Sequence, residues 1–93
     1  MSGLAQDNLA IALEAIDSHS DKLNCLVTST AEQAKEAAFA ADTAAAEGVW
    51  PGLLYGMTMA IKDNIDTAGV RTTSGSLHFK DMVPNRDAFV IER

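Results

Sequence analysis

GMTMAIKDNIDTAGVRTTSGS, residues 56–76, decides how this chain is read. Met57 to Ile61 is a short apolar run and is predicted to be a strand. Met57, Met59 and Ile61 then share one face; Thr58, Ala60 and Lys62 share the other. The run ends on Lys62 and passes through Asp63-Asn64 into a loop rich in Gly, Ser and Thr. A lysine placed where a buried strand emerges into a polar loop can be a chemical group. Desolvation penalises an ammonium, and burial can lower a lysine pKa by about 3–5 units. A neutral amine can then take a proton from a serine hydroxyl. The other reading is a strand-end lysine in solvent, paired with Asp63 or Asp66, which is the commoner fate of lysines. Asp63 is two-sided in the same way: it orients the lysine and nearby backbone, or it caps a turn. Thr72, Thr73, Ser74 and Ser76 supply either a hydrogen-bonding lining beside the lysine or a hydrophilic turn.

Upstream, Leu9, Ala12, Leu13 and Ile16 recur at helical spacing and predict an amphipathic helix over about residues 4–18. The polar run Ser18-His19-Ser20-Asp21 is expected to end it. Leu23–Thr28 is short, apolar and partly branched, and is predicted to be a strand with Cys25 in its core. Ser29–Glu32 and Thr30–Gln33 both match capping-box spacing and open a second helix that runs to about Ala46. Ala31, Ala34, Ala38, Ala41 and Ala45 give it one face of small side chains. Glu32, Lys35, Glu36 and Asp42 are expected on the wet side, and Gly48 suits the stop. Trp50 and Tyr55 read as packing residues around the turn at Pro51-Gly52. Near the end, Asp87 is the expected N-cap of a third helix whose apolar face begins with Ala88, Val90 and Ile91. The chain stops at Arg93, less than two turns into that helix, and so reads as the N-terminal piece of something larger.

Composition narrows the classes. At 93 residues, with 47% hydrophobic and 22% charged side chains, the chain suits one small folded domain rather than a disordered segment. The net charge of −6 disfavours nucleic acid and anionic membranes as direct partners, because both call for clustered Lys and Arg. With one cysteine, Cys25, no internal disulfide is possible. That fits a cytoplasmic protein, as does the lack of a basic-then-apolar leader. His19 and His78 lack metal-ligand spacing, so no metal is expected.

One ordered series of residues resembles the amidase signature family. It runs Leu54-Tyr55-Gly56, Met59-Ala60-Ile61-Lys62-Asp63-Asn64-Ile65, Ala68-Gly69-Val70-Arg71-Thr72-Thr73-Ser74-Gly75-Ser76, then Pro84 and Asp87-Ala88. The resemblance implies an α/β fold: the chain would be the N-terminal part of a single amidase signature domain, an α/β/α sandwich around a mixed sheet. Residues 1–93 would contribute two helices and short strands, truncated at the start of a helix. It implies hydrolysis or transfer of a carboxamide, with Lys62 as the lysine of a Ser–cis-Ser–Lys triad and an acyl-enzyme intermediate. Asp63, Asn64, Thr73, Gly75 and Ser76 would support that lysine. No cofactor is implied. The partner would be a small-molecule amide, and a homodimer is left open.

In that family both serines lie beyond position 93, and Ser74-Gly75-Ser76 belongs to the lysine loop instead. This stretch alone is therefore expected to be inactive. A further departure is Thr58, where the family often has proline. Two other readings are carried along: the amidase-type subunit of a glutamine-dependent tRNA amidotransferase, and a small non-catalytic α/β interaction module.

Overall fold

The structure, a computed structural model, describes residues 3–93. The chain divides into two compact units, Met1–Met59 and Ala60–Arg93. The first is a helical hairpin. Helix α1 spans Leu4–Leu23 and helix α2 spans Ala31–Ala46. The two pack against each other. They run antiparallel, since the first turn of α1 bonds to Asp42 in the second half of α2.

The face of α1 turned away from solvent carries Ala5, Leu9, Ala12, Leu13 and Ile16, the stripe expected from the spacing. The helix is longer than expected. Ser18, His19, Ser20 and Asp21 do not end it, because polar side chains at these positions stay within reach of water. His19 also bonds through Nδ1 to the Ala15 carbonyl at 2.9 Å. The stop comes at Asn24, which takes the left-handed conformation (φ 47°) and donates its N–H to the Ser20 carbonyl at 2.7 Å.

Helix α2 keeps its expected limits, and Gly48 follows it at φ 79°. Neither capping box forms. Thr30 occupies the N-cap without a side-chain bond, and Glu32 instead pairs with Lys35 at 3.0 Å. Ala38 is buried on the small-residue face, and Asp42 is buried with it at 8% exposure, against the expectation of a wet Asp42.

Asp42 holds the hairpin together. Gly3 precedes α1 and offers no side-chain cap, so the free N–H groups of the first turn need an acceptor from elsewhere. Asp42 supplies it. Its Oδ1 accepts from Ala5 N at 3.0 Å, and its Oδ2 accepts from Gln6 N at 2.9 Å and Gln6 Nε2 at 3.0 Å. The Tyr55 hydroxyl donates to Oδ1 at 2.5 Å. A negative charge at a helix N-terminus is also favoured by the helix dipole. Burial pushes the Asp42 carboxyl up, but the bonds from Tyr55, from the Gln6 and Ala5 N–H groups and from the Gln6 amide outweigh it. The group sits well below its ordinary range. The Tyr55 hydroxyl is pushed up, first by that bond and then by burial and the charge it faces. At Gly3 an added Cβ would lie 2.5 Å from Asp42 Cγ, so only glycine lets the carboxylate come this close.

No strand forms among the described residues, and this overturns the α/β fold expected from the sequence. Leu23 belongs to the last turn of α1. The rest of Leu23–Thr28 is irregular, and Cys25 is exposed rather than in a core. Met57–Ile61 is free of helix, but both of its faces are exposed, and no N–H of residues 58–61 donates to another backbone group among the described residues. A strand needs a ladder partner and a face to bury, and here there is neither. The anchor expected of Trp50 is also missing, since it is 74% exposed.

The second unit is mostly loop. Gly69 N donates to the Pro84 carbonyl at 3.0 Å, Thr72 N to Met82 at 2.9 Å and Ala88 N to Asp66 at 2.9 Å. A single turn of 3-10 helix covers Leu77–Phe79, and a short helix α3 covers Phe89–Glu92. Its N-cap is Ala88 rather than the expected Asp87, whose carboxylate accepts from Ala68 N at 2.7 Å instead. No helix among the described residues is long and apolar enough to cross a membrane.

Asp42→Ala should lower the thermal midpoint of the helical circular-dichroism signal by on the order of 10 °C at pH 7. A group whose folded pKa is depressed stabilises above its unfolded value, here 3.8, and loses that effect as pH falls through the folded value. The gap between parent and variant should therefore begin to narrow only below about pH 4 and go on narrowing as the pH falls toward the lower folded value. Equal midpoints at pH 7 would contradict the cap.

Candidate functional site

Lys62, Asp63, Asn64, Thr73, Gly75 and Ser76 lie in the second unit, and the structure gathers most of them around one carboxylate. Asp63 is half-buried. Its Oδ1 accepts from Thr73 N at 2.9 Å, and its Oδ2 accepts from Thr73 Oγ1. Its main-chain carbonyl accepts from Ser74 N at 2.8 Å. Thr73 Oγ1 in turn accepts from Gly75 N at 3.2 Å, and the Thr73 carbonyl accepts from Ser76 N at 2.9 Å. Ser76 Oγ accepts from His78 N at 3.2 Å and so starts the 3-10 turn. Of the two roles open to Asp63, capping the turn is the one its side chain performs.

The sequence explains the geometry. Ser74 and Gly75 both take positive φ, 54° and 69°, which folds the chain back tightly. Glycine does so freely; serine does so at some cost, offset here by the bonds on either side. Thr72 and Thr73 are buried beneath the turn at 6% and 5% exposure. A buried threonine hydroxyl needs a partner, and Asp63 gives Thr73 one.

The bonds from Thr73 Oγ1 and the Thr73 N–H hold the Asp63 carboxyl below its ordinary range, with burial opposing. The Gly75 N–H and the charge of Arg71 add to the lowering.

Lys62 sits at the edge of this arrangement. Its carbonyl accepts from Ile65 N at 3.1 Å, and the next residue is Asp63, so the backbone is fixed on its C-terminal side. The side chain is exposed, as are Thr58 and Ala60. Among the described residues no hydrogen bond or ion pair reaches the Lys62 amine. Asn64 is exposed at the turn. The arrangement thus provides a free amine on a pinned backbone, beside a carboxylate already engaged by other donors.

Reading by spacing missed Asp42 as a partner of Tyr55 and Asp87 as a partner of Ala68. The only signal for either was an acidic residue near a helix end, and that signal fits a solvated side chain equally well.

Comparison with known proteins gives a consistent picture. The family described as Amidase matches residues 7–93. A glutamyl-tRNA(Gln) amidotransferase subunit from Moorella thermoacetica is 42% identical over 89 residues, covering 96% of this chain and 18% of the relative. The protein of the same description from a Synechococcus species is 39% identical over 92 residues, covering 99% of this chain and 19% of the relative. That from Haloarcula marismortui is 57% identical over 47 residues, covering 50% of this chain and 11% of the relative. The chain therefore spans less than a fifth of the length of these curated relatives. No solved structure matches it.

The Thr73 amide resonance should titrate with a midpoint below the 3.8 of an ordinary aspartate. The stabilisation of the turn by Asp63 should be full above that value and fade as pH falls through the lower folded one. A midpoint at or above 3.8, followed by two-dimensional NMR, would show that the clamp is not formed.

Proposed function

The chain belongs to the Amidase family, and from that premise we propose that it is the lysine-bearing part of a single, longer amidase domain that cleaves carboxamide C–N bonds. Lys62 is the proton acceptor. Its amine, once neutral, takes a proton from a bridging serine, which activates a nucleophilic serine. Both serines are supplied by sequence outside this chain. Attack on the amide carbon forms an acyl-enzyme and releases ammonia or an amine, with the proton delivered to the leaving nitrogen. Water or a second amine then takes the acyl group. Asp63, Thr73, Gly75 and Ser76 hold the turn that carries the lysine, and Asn64 lies beside it.

One observation carries this reading. The family match spans a lysine whose backbone is pinned and whose amine has no partner among the described residues. A lysine that only solubilised the surface would need no such clamp beside it. Exposure of the amine in this chain means that its desolvation would come from the rest of the domain and the substrate.

A second reading is favoured by the relatives, each described as one subunit of a glutamyl-tRNA(Gln) amidotransferase. In that case glutamine is the amide, the ammonia passes to an acyl acceptor elsewhere, and other protein subunits and ATP take part.

The longer product of the reading frame should release ammonia from a carboxamide. Lys62→Ala should reduce that rate by at least about a thousandfold, because members of a coupled triad fail together. The 93-residue chain should show no release. Full activity in Lys62→Ala would overturn the assignment. Glutaminase activity that rises on adding co-purified subunits would select the second reading over the first.

A further inference from the structure

The neighbour of Lys62 in the chain is an aspartate, yet the two do not pair. An acidic side chain beside a lysine ordinarily tempers its reactivity, because an ion pair favours the ammonium and only the neutral amine accepts a proton. Here Asp63 is otherwise engaged. Thr73 donates its N–H to Oδ1 and its hydroxyl to Oδ2, so each carboxylate oxygen has a donor from the same residue. Thr73 is one of the most buried residues of its unit, and the Gly75 N–H fixes its hydroxyl from the other side. The other charges of this segment do not replace Asp63. Arg71 acts on Asp63 itself, Asp87 is bonded to Ala68 N, and Asp66 is exposed and forms no ion pair with Lys62.

We propose that Thr73 is a positioning residue that sequesters the Asp63 carboxylate and so keeps the adjacent Lys62 amine unpaired and available for proton transfer. The proposal takes its functional meaning from the assignment of Lys62 as proton acceptor, but its physical content is tested without any catalysis. It also accounts for a hydroxyl-bearing side chain at this position. Serine would retain both donors, whereas valine would keep the N–H and lose the hydroxyl, freeing one carboxylate oxygen to turn toward the lysine.

The test is competitive acylation of the 93-residue chain with a trace amine-reactive ester at pH 7.5, read peptide by peptide with Lys22 and Lys80 as internal references. Thr73→Val should slow acylation of Lys62 about two- to fivefold relative to those references, the range of an exposed ion pair. Thr73→Ser should leave it at the parent rate. Asp63→Asn alone should also leave it there, because the parent carboxylate is bonded to Thr73 and forms no ion pair with the lysine. The Thr73→Val, Asp63→Asn double variant should return Lys62 to the parent rate. General loosening of the turn by valine would not be undone by removing the charge, so a double variant as slow as Thr73→Val overturns the proposal. So does an unchanged rate in Thr73→Val, or a faster rate in Asp63→Asn alone. None of these outcomes depends on whether Lys62→Ala abolishes amide cleavage in the longer protein, so the two ideas fail separately.

Discussion

Each unit of this chain is organised by an aspartate withdrawn from water and supplied with donors. In the first, Asp42 takes the N–H groups of Ala5 and Gln6, the Gln6 amide and the Tyr55 hydroxyl. In the second, Asp63 takes the N–H and hydroxyl of Thr73. A carboxylate in a partly dry setting is costly unless its oxygens are satisfied, and once satisfied it fixes whatever segments carry the donors. That matters more here than in most small proteins. The buried apolar residues among those described are Ala5 and Ala38, and no large side chain is fully enclosed. With so little apolar burial to determine the fold, directional bonds take over much of the work of specifying it.

The same contrast governs what the sequence disclosed. The stripe of Leu9, Ala12, Leu13 and Ile16 announced α1, and the alanine face announced α2, because both patterns are local and repeat with the period of the helix. The strands were misjudged because a strand is a relation between two segments. Alternation in Met57–Ile61 shows what such a run could bury, but not whether anything lies alongside it. Asp42 was misjudged for a similar reason. Its position relative to Ala38 and Ala45 places it on the inner side of α2, but a charge seen alone suggests water. Only the uncapped first turn of α1, some forty positions earlier, gives it a reason to be inside. Around Lys62 the motif named Asp63, Thr73, Gly75 and Ser76, which the turn links by hydrogen bonds. It did not say that Asp63 would face Thr73 rather than the lysine, which depends on how the Ser74-Gly75 turn brings the chain back.

The helical hairpin and the lysine loop differ in kind. The hairpin is regular structure closed by one bonded cluster. The loop unit has little regular structure, and its passes are joined by single backbone bonds such as Gly69 to Pro84 and Thr72 to Met82. A turn built in this way can hold one residue accurately while leaving its side chain free, as at Lys62. Large apolar side chains such as Leu53, Leu77 and Phe89 remain exposed, in keeping with a chain that spans less than a fifth of its relatives' length.

The cap contributed by Asp42 has a consequence for how the chain can vary in length. Adding or deleting one residue inside α2 ahead of Asp42 would swing its carboxylate about 100° around the helix axis, off the start of α1 altogether. The same change in the irregular stretch between the helices, residues 24–30, leaves that angle untouched and alters only the slack between them. Insertions and deletions among close homologues should therefore collect in the connecting stretch and avoid the helix that follows it.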